Sequence, residues 1–283
     1  MFARRQIYLR SAFTLAEMLV VIVILAVLTF VAVEALRPMA NQGRFEATRK
    51  TLQNVNNAIA GNDTAATRGF VADVGRFPAS LDELFGTTLP TDCVPYLPRL
   101  APAPYESIVI TSGWRGPYLL APSGSNLAAQ AIQDGWGTPL LAEAVASSAR
   151  EAVRVYSPPT ERNVAAPEYE LSDLSTIVEW RPDSLTVWLY KVEAGTKGTP
   201  TETGTWRVAV LGPGSVAENG VHVVTSDIVA DMDTTNLQFT FTSAQLMAGP
   251  HVIQASRDGT LKGPAVHIDL RGGVAHNAEI KVE

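Results

Sequence analysis

The sequence predicts an α+β protein built in line: a long N-terminal transmembrane helix, an α+β head packed on that helix, and a C-terminal all-β sandwich. Three observations predict it. Met18 to Val33 runs without a charge, long enough with its apolar flank for a short or tilted membrane helix. Phe45, Thr48, Leu52, Val55 and Ile59 then recur at three- and four-residue steps, the stripe of an amphipathic helix. Beyond Arg181-Pro182-Asp183 the apolar period drops to two, the signature of strands.

Composition bounds what such a chain does. Its 283 residues suggest about two domains, and the 46% hydrophobic content with 21 Gly and 18 Pro excludes collagen and low-complexity disorder. One apolar run excludes a polytopic membrane protein. A net charge of −6 argues against a general nucleic-acid binder, which needs a basic face. The single cysteine, Cys93, excludes a disulfide within the chain.

The first twelve residues carry Arg4, Arg5 and Arg10 and no acid. Arginines before the apolar run and an acidic bulk after it place the N-terminus in the cytoplasm and the body across the membrane. Glu17 breaks the apolar pattern; a carboxylate in a bilayer helix costs roughly 2.5–3.5 kcal/mol and calls for a partner or the headgroup boundary. Pro38 and Gly43 predict a kink or local melting just past the run. From Phe13 to about Ala60 one helix would extend ~70 Å, more than a bilayer needs, so the far half is free to pack on a head.

Arg10-Ser11-Ala12-Phe13-Thr14-Leu15-Ala16-Glu17-Met18-Leu19-Val20-Val21 resembles the class III signal of type IV prepilins and type II secretion pseudopilins. The resemblance implies a leader over residues 1–12, cut by a prepilin peptidase between Ala12 and Phe13, with Phe13 then N-methylated. It implies that Glu17 neutralises the amino terminus of a neighbouring subunit in a helical filament. Ala12 departs from the family's usual Gly before the cut, and Leu15-Ala16 from the commoner Leu-Ile. Two other fates of this segment stay open: a secretory signal cut after Ala35 or Ala40, and an uncut anchor.

Within residues 61–182, Ser80 and Glu83 stand at capping-box spacing and predict a short helix. Gly113-Trp114-Arg115-Gly116-Pro117-Tyr118-Leu119 and Asp134-Gly135-Trp136-Gly137-Thr138-Pro139-Leu140 are turns with aromatic anchors. With Phe77-Pro78-Ala79-Ser80-Leu81-Asp82-Glu83-Leu84 they resemble the head signatures of the G-type major pseudopilin, so the likeness covers about residues 13–180. It implies partners: further copies of the chain, the peptidase, minor pseudopilins, an inner-membrane secretion platform and the bilayer. It implies residence in a bacterial inner membrane, a periplasmic body, and no enzymatic activity. Family heads end in a calcium loop; here Pro158-Pro159 replaces the usual Gly and Asp, leaving Glu168, Glu170 and Asp173 as the candidate calcium ligands, against the commoner case of solvated acids.

In residues 183–283 the period-two segments are Leu185/Val187/Leu189, Trp206/Val208/Val210, Leu237/Phe239/Phe241, Val266/Ile268/Leu270 and Ile280/Val282, with Val221/Val223 and Val252 as two more. Turn signals at Asn219-Gly220, Gly249-Pro250 and Asp258-Gly259 complete a β-sandwich, prealbumin- or immunoglobulin-like. Phe239-Thr240-Phe241 and Ala248-Gly249-Pro250-His251 resemble prealbumin-like modules appended to surface proteins.

Gly212-Pro213-Gly214-Ser215-Val216-Ala217, with Asp231 beyond it, matches a dinucleotide fingerprint, but Asn219-Gly220 ends any helix after one turn, so a glycine loop between strands is expected. His222, His251, His267 and His276 show no paired metal spacing. The readings kept beside the secretion pseudopilin are a minor type IV pilin with an adhesive tip, an anchored periplasmic binding protein outside any filament, and an anchored hydrolase or metalloenzyme using His222 or His267.

Overall fold

The computed structural model describes residues 14–62, 67–120, 132–145, 152–158, 174–214, 216–231, 234 and 236–282. Helix α1 (Leu15–Ala60) is one 46-residue element. The helix does not melt at Pro38 or Gly43: both lie inside it. Proline removes one backbone bond, but strong helix formers surround it, Ala35 and Leu36 before and Met39 and Ala40 after. The helix opens on Thr14 and closes at Gly61, whose φ of 94° only glycine adopts readily and whose N–H bonds the Asn57 carbonyl.

The far half of α1 buries the expected stripe: Thr48, Leu52, Val55 and Ile59 are at most 3% exposed. After it come the two-residue strands β1 (Gly61–Asn62) and β2 (Thr67–Arg68), then the short helix α2 (Phe70–Val74). Leu81–Leu84 forms a 3-10 turn on Ser80, but the expected capping box does not close. Glu83 instead turns to Arg76 at 2.9 Å, because a guanidinium offers a charge-assisted bond that the backbone N–H of Ser80 does not. Strands β3 (Leu97–Leu100) and β4 (Val109–Ser112) make a hairpin. Strands β5 (Leu141–Ala144), β6 (Val153–Tyr156) and β7 (Ser175–Val178) make an antiparallel meander with β7 beside α1.

Each period-two segment forms a strand. They are β8 (Ser184–Glu193), β10 (Gly204–Pro213), β11 (Val221–Ala230), β12 (Gln238–Thr242), β13 (Gly249–Arg257), β14 (Thr260–Leu270) and β15 (Ala275–Lys281). A short strand β9 (Thr196–Gly198) folds back on β8 through Ala194-Gly195, both at positive φ. Asp258-Gly259 makes the same kind of turn between β13 and β14, as its sequence predicts.

One sheet runs β11-β10-β13-β14 and the other β12-β8-β15, with β15 parallel to β8. This order is not that of an immunoglobulin domain, which places its first, second, fifth and fourth strands in one sheet. Here the second strand pairs the third and fifth, away from the first. Leu185, Val187, Phe239, Phe241 and Ile280 from one sheet meet Trp206, Val208, Val210 and Ile253 from the other in a single core.

Part of the second face of the four-stranded sheet is buried as well. Ala209, Leu211, Val221 and Val252 pack there against Ala101, Tyr105, Ile108 and Ile110 of the head. The Ser112 hydroxyl donates to the Gly220 carbonyl at 2.5 Å, and Arg181 donates to the carbonyls of Ala244 and Leu246. Head and sandwich are therefore joined through packed apolar surface and side-chain hydrogen bonds to backbone carbonyls.

Candidate membrane and assembly helix

From Leu15 to Val33 the helix is apolar, 19 residues long, and none of it is buried by the rest of the chain. At 1.5 Å per residue that is about 29 Å, close to the hydrocarbon thickness of a bilayer. Leu15 is 84% exposed and Phe30 72%. An apolar surface of that extent requires lipid or other apolar helices around it.

Glu17 closes a capping box with Thr14. The Thr14 N–H donates to Glu17 Oε2 at 2.8 Å, the Thr14 hydroxyl to the same oxygen at 3.0 Å, and the Glu17 N–H to Thr14 Oγ1 at 3.2 Å. A carboxylate at a helix N-terminus also faces the positive end of the helix dipole. Within a single chain, then, Glu17 caps its own helix. The Thr-x-x-Glu spacing carries that signal in the sequence, as Ser80-x-x-Glu83 does without closing a box. Ala12 and Phe13 lie outside the described residues, as do Glu168, Glu170 and Asp173.

The three motif stretches gather around the buried half of the helix. Gly135 N–H donates to Thr48 Oγ1 at 2.8 Å, and a Cβ at Gly135 would stand 2.2 Å from the Arg44 carbonyl oxygen, so the loop needs glycine there. Asp134 Oδ1 accepts from the Trp136 and Thr138 N–H groups, each at 2.8 Å, while its other oxygen takes the Ser157 hydroxyl. Both Tyr118 and Leu119 donate backbone N–H groups to the Leu84 carbonyl, tying the second motif to the first. Leu84, Leu140 and Tyr118 join Leu52, Val55 and Ile59 in one apolar cluster.

Two charge clusters stiffen the same region. Asp73 has no exposed side-chain surface; it pairs with Arg115 Nε at 3.1 Å and accepts from the Tyr118 hydroxyl at 3.1 Å. Burial pushes the Asp73 carboxyl up, opposed by Arg115 and the Tyr118 hydroxyl, and burial likewise pushes the Tyr118 phenol up. Arg76 bridges Glu83 and Asp92 and reaches Cys93 Sγ at 3.2 Å. The Cys93 thiol is buried, and that burial raises it above its ordinary range. A protonated, covered thiol suits packing rather than nucleophilic work.

The glycine loop joins β10 to β11. Gly214 N–H bonds the Gly220 carbonyl, only a three-residue 3-10 turn intervenes, and Asn219-Gly220 returns the chain at positive φ. No helix follows to hold a pyrophosphate. Gly212 has another role, since a Cβ there would stand 2.3 Å from Nε2 of the buried His251. Gly212→Ala is expected to cost about 1–3 kcal/mol, read from the urea midpoint, because neither ring nor strand has room to yield.

The histidines keep separate hydrogen-bond partners. His222 Nδ1 meets the Glu218 carboxylate, His251 Nδ1 the Gly249 carbonyl at 2.9 Å, and His276 Nε2 accepts from the Arg271 N–H at 2.8 Å. Among the described residues no three His, Cys, Asp or Glu side chains are grouped to hold a metal.

These features define a class: a mostly β body with largely antiparallel sheets, carrying one N-terminal helix long and apolar enough to cross a membrane. The chain matches no protein-family model, and no curated protein is significantly similar to it.

Proposed function

We propose that this chain is a pilin-like subunit, closest to the G-type major pseudopilin of type II secretion systems, and that it works by assembly rather than catalysis. The observation that carries the proposal is the division of labour along α1. One unbroken helix leaves its first half bare and apolar and seats its second half in the head. A membrane would hold the bare half before assembly, and neighbouring helices would cover it afterwards. Both environments satisfy the same apolar surface, so the transfer between them is not opposed by the hydrophobic effect. Collection of the three motif stretches around the buried half supports the same reading.

In this reading residues 1–12 are removed between Ala12 and Phe13, Phe13 is methylated, and the body faces the periplasm. Glu17 trades its own Thr14 donors for the amino terminus of a neighbour. A charged donor gives the carboxylate a stronger bond than a neutral one, which favours the exchange where water is excluded. The resulting filament would drive protein export. Calcium stays a proposal on Glu168, Glu170 and Asp173. The sandwich favours a second reading, a minor type IV pilin displaying a binding module at its tip; recovery of the chain from sheared surface filaments would select it.

Mass spectrometry of the membrane-extracted native chain tests the proposal. A start at Phe13 carrying one extra methyl is the expected result, and a start at Met1 or near Leu36 overturns it. Glu17→Ala is expected to leave insertion intact while abolishing recovery of the chain in filaments.

A further inference from the structure

We propose that the free edge of β11 pairs antiparallel with the β11 edge of a second copy of the chain, about a two-fold axis at Ser226. Strand β11 ends its sheet, and its ladder to β10 runs without a shift from Gly204 opposite Ala230 to Pro213 opposite Val221. In an antiparallel ladder both backbone groups of a residue point to one side, and successive residues alternate. The Asp258 N–H donates to the Thr205 carbonyl, so Thr205 turns toward β13 and away from Val229, which it faces on β11. By the same alternation Val223, Thr225, Asp227 and Val229 aim their N–H and C=O groups off the sheet, where no described strand lies. Thr225 and Asp227 are exposed, and so is Val229, to 77%.

The other edges of the sandwich are guarded. The register of β14 shifts between Ile253 and Ala255, and that strand carries Lys262 and Pro264. Strand β15 carries Glu279 and Lys281, and β12 has only five residues. Shortness, charge, proline and irregular register are the devices that keep sheet edges from pairing. Strand β11 has ten residues, no proline, no lysine and no shift. Its row of alternating donors and acceptors matches another extended backbone.

The side chains of β11 select the second copy. Val223-Val224-Thr225-Ser226-Asp227-Ile228-Val229 has the same character read in either direction: two apolar residues and a polar one on each side of Ser226. Antiparallel pairing about Ser226 sets Val223 opposite Val229 and Thr225 opposite Asp227 on one face, and Val224 opposite Ile228 on the other. The outward-bonding residues meet one another, as a ladder requires. An axis at Thr225 would instead set Val223 against Asp227 and His222 against Ile228. Val223 packs on the apolar cluster between sheet and head, so the exposed Val229 of the second copy extends that cluster. Each Asp227 holds its own Arg207 at 2.6 Å, so the two carboxylates near the axis bring their counter-charges, and the facing Thr225 hydroxyl supplies a donor. His222, held by Glu218, falls opposite Ala230. The pairing is closed: it joins two four-stranded sheets by the unguarded edge of each and grows no further.

This pairing concerns the sandwich and does not rest on the filament reading. The test uses the full chain in detergent micelles carrying Ser226→Cys, oxidised with copper phenanthroline. Residues facing each other in a non-hydrogen-bonded pair have Cα atoms about 4.5 Å apart, within disulfide reach, and the native Cys93 is buried. A covalent dimer is the expected product, formed roughly tenfold or more faster than from His267→Cys on the exposed side of β14. Thr225→Pro removes an outward donor while sparing the bonds to β10, and Val229→Lys sets a charge against Val223. Each is expected to abolish the crosslink while the reduced chain melts as the parent does. The proposal is overturned if Ser226→Cys stays monomeric after oxidation, if His267→Cys crosslinks as fast, or if the crosslink survives Val229→Lys. Glu17→Ala should leave the crosslink in place, and the mass of the N-terminus reads the filament proposal, so the two fail separately.

Discussion

Deleting residues 183–283 is expected to leave a head that does not fold. Tyr105, Ile108 and Ile110 are each at most 6% exposed, and the surface that covers them belongs to β10, β11 and β13. Returning each to water costs about 1.5–3 kcal/mol, a sum comparable to the whole stability of a small domain, 5–15 kcal/mol. Hydrogen bonds are lost with them: the Ala248 N–H to the Trp180 carbonyl at 2.9 Å, the Gly273 N–H to the Arg181 carbonyl at 2.9 Å, and Ser112 to Gly220. Those on the head side would have no strand to meet. Limited proteolysis and circular dichroism of the truncated chain in detergent check this. A protease-resistant truncated head with a cooperative melting transition would refute the shared core. Replacing Ile110 with Asp in the full chain should reproduce part of the loss without removing any strand.

The second large effect is acid destabilisation through His251. Its ring is buried at the end of the sandwich core beside Gly212, and burial lowers its pKa from the ordinary 6.5 to about 4. The Gly249 carbonyl opposes that shift, while His222 and His276 add to it when charged. Between those two pH values the unfolded chain binds a proton that the native chain refuses, so stability rises with pH there. His251's contribution is complete above about pH 6.5 and is lost as the pH falls toward 4. The gap between the two values is worth about 3 kcal/mol in all. Urea midpoints measured across roughly pH 4 to 7 should fall on the acid side. His251→Gln should lie lower at neutral pH and flatten that limb. Asp73, raised by burial, works in the opposite sense, its contribution shrinking as the pH rises, so only the comparison with the variant isolates the histidine.

Much of the fold is legible because its elements repeat a local period. The stripe at Phe45 to Ile59 and the alternation at Leu185, Trp206 and Phe239 each translate directly into a buried face. Elements without a period are harder to read. Ala194-Gly195 makes a tight hairpin with an alanine at positive φ, a position that residue type does not announce, and α2 is only five residues long. The helix through Pro38 shows a local rule overridden, since one missing backbone bond is small beside the many others of a 46-residue helix.

Glu17 shows the same division at the candidate site. Its isolation in an apolar run stands out in the sequence, and so does its need for a partner. The Thr14-x-x-Glu17 spacing signals a capping box in the sequence, and the backbone closes it through three bonds in the first turn. His251 is an ordinary histidine in the sequence, and only the strands around it make it a buried neutral ring.

The sequence by itself determined the apolar helix and its length, the strands of the sandwich, and the turn at Asp258-Gly259, because each depends on residues within a few positions of one another. Tertiary structure alone decided which faces are covered. Val208-Ala209-Val210-Leu211 is apolar at every position, and its even and odd residues go to different partners: Val208 and Val210 face the opposite sheet, Ala209 and Leu211 the head. With both sides apolar, the pattern marks a strand but does not say which face meets which partner. What covers each side is set by strand order, and strand order is settled by contacts between residues far apart in the chain.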